Sequence, residues 1–203
     1  TLHGDVWLVS GIDDKLEKLT WKRFATGLFQ PLGLKIVKNQ IYVVGRDQIT
    51  RLHDLNDDGE ADWYENFNND GQVTANGHEY VTCLETDTEG WFYFLKGNAD
   101  GATYHDGGFL RVSPDGQKLE VVATGFRNAN GLGVWNEPDE QGTRDVFTVA
   151  PQEGEWTPGS AIFQVARGGF YGYVPSAHRA EVPKEFASPL CWLPRLQDNS
   201  SGG

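Results

Sequence analysis

Hydrophobic and polar residues alternate along this chain in short segments, which Gly-, Asp- and Asn-rich turns separate about every ten positions. Alternation with a period of two is typical of a half-buried β-strand, and segments with helical periodicity are hard to find. The pattern therefore predicts an all-β chain. The predicted strands include DVWLVSG (5–11), LGLKIV (32–37), QIYVVG (40–45), GWFYFLKG (90–97), GFLRVSP (108–114), KLEVVATG (118–125) and DVFTVAP (145–151).

Part of this strand pattern is repeated. ATGLFQPLGLKIV (25–37) aligns with ATGFRNANGLGVW (123–135) at an offset of 98 residues, and EYVTCLETDTEGWFYF (79–94) is a weaker copy between them. An offset of 98 is twice a period of about 49, and a unit of about that length with four strands is typical of a β-propeller blade. The predicted fold class is an all-β propeller of four-stranded blades, with about four blades present.

The repeats predict a single propeller domain over 1–203, or a fragment of one. Its blade repeats fall roughly at 5–67, 68–125 and 126–177, and the start of the next at 178–203. Because the chain stops on a Gly-rich turn, we expect it to be part of a larger, six-bladed propeller. The remaining blades would then cover its exposed edge strands.

Composition narrows the possible partners. The formal net charge of −12 opposes binding to nucleic acid or to an anionic membrane, and no apolar run approaches the ~18 residues of a membrane span. Cys83 and Cys191 each lie beside apolar residues. Two buried free thiols and a disulfide both fit this pattern.

The segment DLNDDGEADWYE (54–65) has oxygen ligands at the spacing of a calcium-binding loop. Strand-like sequence flanks it on both sides, so we expect a hairpin loop that holds Ca²⁺ as a structural staple. An Asp- and Asn-rich turn without metal is the alternative. The predicted ligands are Asp54, Asn56, Asp58, Glu60 (through its carbonyl), Asp62 and Glu65.

Candidate chemistry lies where blade strands begin. His78 precedes a predicted strand, while HEYVT (78–82) lacks the second histidine of a zinc protease motif. FRNANG (126–131) supplies Arg127, Asn128 and Asn130. The Arg127 guanidinium can bind a ligand or form an inter-blade salt bridge. The two asparagines can offer their amides to a ligand or simply form a turn.

Aromatic residues cluster in the segment 150–177. They can stack against a sugar or a flat cofactor, or fill the space between blades. The candidates are Trp156, Phe170, Tyr171 and Tyr173.

The segments HDGGFLRVSPDG (105–116), ATGFRNANGLGV (123–134) and APQEGEW…GGFYGYVP (150–175) resemble, in order, motifs of the soluble quinoprotein sugar dehydrogenases. These are six-bladed propellers of the glucose and sorbosone dehydrogenase type. The resemblance covers most of 24–203. It is closest to propeller domains of large secreted planctomycete-type proteins, often fused to cytochrome c.

The resemblance implies a mechanism and a compartment. His78 would be the general base that removes a sugar hydroxyl proton as hydride passes to pyrroloquinoline quinone (PQQ). Arg127, Asn128 and Asn130 would contact the quinone, and carbonyls of Ala150 and Pro151 would help to hold a bridging Ca²⁺. Where the family has an acidic residue after a "YxxG" strand, this chain has Asn98. The implied location is periplasmic or extracellular.

Three functions remain as hypotheses. The first is PQQ-dependent oxidation of a sugar or polysaccharide hydroxyl, with a cytochrome c domain as a candidate partner. The second is a non-catalytic propeller module that binds carbohydrate or protein. The third is a calcium-dependent lactonase-type hydrolase, in which Glu79, Asn128 and Glu155 converge on one axial metal.

Overall fold

The computed structural model describes residues 3–97, 103–139, 142–152, 154 and 157–196, and it shows strands and one short 3-10 helix in these ranges. The predicted strands are confirmed, with ends shifted by up to three residues. The strands are β1 (His3–Ser10), β2 (Thr20–Phe29), β3 (Gly33–Val37), β4 (Gln40–Val44), β5 (Ile49–His53), β6 (Trp63–Asn68), β7 (Tyr80–Thr86), β8 (Phe92–Gly97), β9 (Gly108–Val112), β10 (Leu119–Ala123), β11 (Gly131–Asp139), β12 (Gly142–Ala150), β13 (Ala161–Gln164) and β14 (Cys191–Trp192), and the 3-10 helix is Val174–Ser176.

The strands form antiparallel sheets in which each strand pairs with its neighbour in sequence. β3–β6, β7–β10 and β11–β14 are three four-stranded meanders, and β1 and β2 form a two-stranded sheet. Consecutive four-stranded meanders are the blades of a propeller. The predicted all-β, propeller-like fold is confirmed, and within the described residues the array is not closed.

The two aligned copies of the repeat lie at equivalent junctions, each between one sheet and the next. The first copy runs from the end of β2 into β3, and the second copy runs from β10 into β11. β2 therefore corresponds to the outermost strand of a blade. The predicted unit 5–67 covers two sheets, because β1 and β2 pair only with each other among the described strands. The last sheet runs past the predicted boundary at 177 to Trp192.

Three apolar clusters lie between the sheets. Val6 and Phe24 of the two-stranded sheet pack against Val43 and Leu52 of the first blade. The other face of that blade packs against the second blade, and the second packs against the third. The first and second four-stranded sheets thus place alternate residues of their inner strands into two different cores, whereas the third sheet contributes to one of the three clusters. This stacking brings β3, β7 and β11 next to one another, with β7 in the middle.

Both cysteines are free thiols. Cys83 is half-buried, and burial raises the pKa of its thiol. Cys191 is exposed, so the prediction that both thiols are buried is wrong for this residue; it lies on β14 at the edge of its sheet, where one face stays open to solvent.

The aromatic segment mainly fills space between blades. Phe170 and Tyr171 are buried, and the Tyr171 ring stacks on Phe126 with centroids 4.4 Å apart. Trp156 lies outside the described residues. In the ranges that the structure describes, no helix is long and apolar enough to cross a membrane.

Gly27 and Gly125 occupy equivalent repeat positions and give a matched test of packing. Both have a left-handed φ, +78° and +83°, but a Cβ at Gly125 would lie 2.4 Å from the Phe170 ring, whereas a Cβ at Gly27 would meet nothing within 4 Å. We expect Gly27→Ala to cost about 1–2 kcal/mol from backbone strain, and Gly125→Ala to cost about 1–3 kcal/mol more from overpacking. Urea unfolding measures both, and equal losses would contradict the assigned packing.

Candidate functional site

A cavity of about 450 Å³ opens where β7 and β11 begin. These are the first, innermost strands of two neighbouring blades. Three of the candidate residues chosen from the sequence, His78, Asn128 and Asn130, line the cavity together. Among its described lining residues there is no lysine, arginine, aspartate or glutamate, so the polar groups that they offer to a ligand are amides, hydroxyls and an imidazole, beside the apolar Leu32 and Ala129. The lining residues are Leu32, His78, Tyr80, Thr82, Gly97, Asn128, Ala129, Asn130 and Gln152.

His78 reaches the cavity from the loop that precedes β7. Its side chain is exposed, and its backbone N–H donates to Asn76 Oδ1 at 2.9 Å. This Asx-type turn ends the loop and starts the strand two residues later. The imidazole is therefore at the rim of the cavity, where it can meet a ligand hydroxyl.

Asn128 is held in a left-handed conformation, with φ +42°, just before β11. Asparagine tolerates this conformation better than most residues. Its Nδ2 donates to Gln152 Oε1 at 3.4 Å, while its Oδ1 is buried and has no hydrogen-bond partner in the described structure. A buried amide oxygen without a partner favours a ligand or water that donates to it.

Asn130 also lines the cavity, and its backbone joins β11 to β7. The Asn130 carbonyl accepts from the Cys83 thiol at 2.7 Å, and the Ala129 carbonyl accepts from Thr82 Oγ1 at 3.2 Å. These contacts hold the two strand starts together and give the cavity a defined width.

Arg127, Ala150 and Pro151 lie at this end of the third blade, but the described lining does not include them. The Arg127 carbonyl accepts from the Gln152 N–H at 3.0 Å, so the backbone of this segment is fixed beside the end of β12. Pro151 is buried next to Gln152, whose side chain does line the cavity.

Sequence reasoning missed six of the lining residues: Leu32, Tyr80, Thr82, Gly97, Ala129 and Gln152. Two signals could have found some of them. Tyr80 and Thr82 are two positions apart on β7 and share a face of the strand. Leu32 aligns with Asn130 in the repeat, which places it at the start of the neighbouring innermost strand. Gln152 follows β12, and only the tertiary contact with Arg127 indicates its position.

The comparisons with known proteins give the family. A family model described as a domain of unknown function (DUF7133) matches residues 12–164. The chain belongs to the DUF7133 family. No curated protein matches the chain.

Behind the cavity of this DUF7133 domain is a buried ionic network. Lys96 of β8 bonds to Glu79 Oε1 and to the Gln72 carbonyl, and its Nζ lies 3.8 Å from Asp106 Oδ1. Glu79 accepts a second time from the Thr74 N–H at 2.8 Å. Lys96 thus fastens both ends of the loop that carries His78 to the strand that ends at Gly97.

Arg46 holds the same loop from the first blade. Its guanidinium donates to the Thr74 carbonyl at 3.0 Å and to the Asn76 carbonyl. It also donates to Gln30 Oε1 at 3.1 Å. Two cations from adjacent blades therefore position the loop before β7, and His78 with it.

The predicted calcium loop lies between β5 and β6, as its strand-like flanks predict. Its carboxylates accept hydrogen bonds from the loop's own backbone: Asp54 Oδ2 from Gly59 at 2.7 Å, Asp58 Oδ1 from Glu60 at 2.8 Å and Asp62 Oδ2 from Leu55 at 2.8 Å. These bonds from side chains to the backbone therefore already account for the shape of the loop. Gly59 has a left-handed φ of +81° at the sharp bend.

Glu65, the predicted last ligand, lies on β6 and points at β5. Its Oε2 is 2.7 Å from His53 Nε2 and 3.7 Å from Arg51. In the part of the chain that the structure describes, no three His, Cys, Asp or Glu side chains are grouped to hold a metal. Calcium binding by this loop stays a prediction.

The axial metal of the hydrolase hypothesis finds little support. Glu79 is buried in its pair with Lys96 and is not among the residues that line the cavity. Asn128 lines the cavity, and Glu155 lies outside the described residues.

Lys96→Met tests the buried network. It leaves the Glu79 and Asp106 carboxylates buried without their cation, so we expect a loss of about 3–5 kcal/mol in the free energy of unfolding. Adding Glu79→Gln removes one of those charges, and the double variant should be more stable than Lys96→Met. Lys35→Met, which breaks the half-exposed pair with Glu85, should cost less than about 1 kcal/mol. Additive losses in the double variant would argue against the network.

Calcium should raise the melting temperature if the 54–65 loop binds it, because the ion binds the folded chain preferentially. We expect Asp58→Ala to abolish that rise, and Mg²⁺ to replace Ca²⁺ poorly. Thermal unfolding with and without millimolar Ca²⁺ measures this. An unchanged melting temperature of the wild-type chain would mean that the loop is only a turn.

Proposed function

We propose that this domain binds an uncharged carbohydrate in the cavity between the starts of β7 and β11. The observation that carries the proposal is the lining, which combines amide, hydroxyl and imidazole groups with no described ionic side chain. A volume of about 450 Å³ is within the range of small-molecule sites. Sugar hydroxyls both donate and accept hydrogen bonds, which suits such a mixture.

Asn128 gives the site an acceptor that requires a hydrogen-bond donor. Its buried Oδ1 is without a partner in the described structure, and a sugar hydroxyl is a donor that can satisfy it. Ligand anions would bring a second acceptor to this oxygen and find no described cation in the lining. Ligand cations would find no described carboxylate there.

Hydroxyl oxidation is a second candidate, which the position of His78 favours. A neutral imidazole at the rim can accept a proton from a bound hydroxyl. PQQ, the acceptor that the resemblance implies, would bring carboxylates that need cationic partners, and a bridging Ca²⁺ would need oxygen ligands of its own. The described lining has no cation for the carboxylates, and the Arg127 side chain is not part of it. The described lining therefore does not fit PQQ.

Binding is tested by calorimetry with glucose, mannose and xylose, and with glucuronate and glucosamine as charged counterparts. We expect the neutral sugars to bind and the charged ones to bind more weakly. Asn128→Gly keeps the left-handed backbone and removes the amide, so the affinity should fall about 3- to 10-fold. Asn39→Gly, at a residue that is also left-handed (φ +62°) but lies outside the cavity, is the matched control. Tighter binding of glucuronate than of glucose would overturn the proposal.

Oxidation is tested separately by a dye-reduction assay with PQQ and Ca²⁺ present, on this chain and on a full-length protein that contains it. Quinone binding, followed by tryptophan fluorescence, and turnover that His78→Ala abolishes would support the dehydrogenase. Sugar binding without quinone binding would leave a carbohydrate-binding module.

A further inference from the structure

The two innermost strands β3 and β11 begin with the same local structure. Gln30 aligns with Asn128 in the repeat, and both residues are left-handed, with φ +45° and +42°. The same backbone bond recurs beside each of them: Arg46 N–H to the Phe29 carbonyl, and Gln152 N–H to the Arg127 carbonyl, both at 3.0 Å. The fold therefore places one side-chain amide just before β3 and a second at the equivalent position before β11.

Each amide is oriented by the equivalent neighbour. Gln30 Oε1 accepts from Arg46 at 3.1 Å, so the NH₂ group of this amide remains to donate to a ligand. Asn128 Nδ2 donates to Gln152, so the part that remains for a ligand is the acceptor Oδ1. The two amides thus offer complementary hydrogen-bonding groups, a donor on one blade and an acceptor on another.

A second cavity, of about 510 Å³, lies next to Gln30. It shares Leu32 and Tyr80 with the first cavity, so the two meet at the start of β7. Each is large enough for a small molecule by itself. The lining residues of the second cavity are His3, Gly4, Asp5, Gln30, Pro31, Leu32 and Tyr80.

Tyr80 stands where the two cavities meet. Its side chain is 43% exposed, although it is a large aromatic residue at the start of an inner strand. The residue directly opposite on β8 is Gly97, which has no side chain to cover the ring. An exposed tyrosine ring gives an apolar face for stacking and a hydroxyl for hydrogen bonding.

We propose that the two cavities form one groove for an extended neutral carbohydrate of at least three sugar residues. Asn128 binds one end, Tyr80 stacks on a ring in the middle, and Gln30 binds the other end. This proposal rests on the proposed function and extends it from a sugar to an oligosaccharide. A single sugar occupies only one cavity, and the shared Tyr80 and Leu32 make a continuous path to the other.

Charge selects against acidic chains at the Gln30 end. The exposed Asp5 carboxylate lines the second cavity and accepts from Thr26 Oγ1 at 2.6 Å. It repels the carboxylates of uronic acid polymers and accepts from neutral hydroxyls. The groove therefore favours uncharged polysaccharide segments over pectin-like ones.

The test is calorimetry of this chain with cello-, xylo- and manno-oligosaccharides of one to six residues, and with oligogalacturonates as the acidic series. In at least one neutral series, we expect the affinity to rise about tenfold or more from one to three or four residues and then to level off. In Gln30→Gly, which suits the left-handed φ, that gain with length should largely disappear. Asn39→Gly is the matched control, because Asn39 is also left-handed (φ +62°) but lies in the turn at the far end of β3, and it should leave the length dependence intact.

Tyr80 gives an independent measurement. Tyr80→Phe keeps the ring and should retain most of the affinity for the longer oligosaccharides, whereas Tyr80→Ser should lower it about tenfold. Circular dichroism of both variants checks the fold.

The outcomes separate the two proposals. If no neutral sugar of any length binds, the proposed function fails, and this inference fails with it. If monosaccharides bind as tightly as longer chains, the groove is overturned while the first cavity stands. A length dependence that survives Gln30→Gly and Tyr80→Ser, or equal binding of the acidic series, would also overturn the groove.

Discussion

The buried ammonium of Lys96 is the interaction on which the candidate site depends most. It is 2% exposed and meets the Glu79 carboxylate and the Gln72 carbonyl on two sides of one loop. A charge in that position must be paired, because its desolvation is costly. The pairing leaves the loop before β7 little freedom, and His78 is adjacent to Glu79 in that loop. The Lys96 network that stabilises the second blade therefore also positions His78 at the rim of the cavity.

Face-to-face packing of the sheets explains why the groove runs across blades. Each of the first two blades shares one apolar core with the preceding sheet and another with the next, which keeps the innermost strands side by side. The starts of β3, β7 and β11 then form a row, and their side chains meet although they are about 50 residues apart in the sequence. On β3, Leu34 and Ile36 pair with Val43 and Ile41 and stay exposed on the face toward the two-stranded sheet. That sheet corresponds to the outer half of a blade, so it covers only the outer part of this face.

Most of the strand pattern could be predicted from the sequence, because alternation and turn residues are local signals. The blade boundaries were harder, since they depend on which strands pair. The sequence predicts one blade repeat over residues 5–67, yet β1 and β2 pair with each other and not with β3. Similarly, the acidic loop has calcium spacing, but Glu65 lies in a strand beside His53, where pairing with β5 decides its direction.

The sequence by itself determined the all-β class, the period of the repeat, and the candidates His78, Asn128 and Asn130, because these follow from residue type and position beside a strand. Only the tertiary structure decided that they share a cavity with Gln152 and Tyr80, and that Arg127, whose carbonyl bonds to the Gln152 N–H, is not among the residues that line it. The physical reason is that a cavity between blades is formed by residues from separate repeats. Their meeting depends on how the sheets stack, and local sequence carries no record of that stacking.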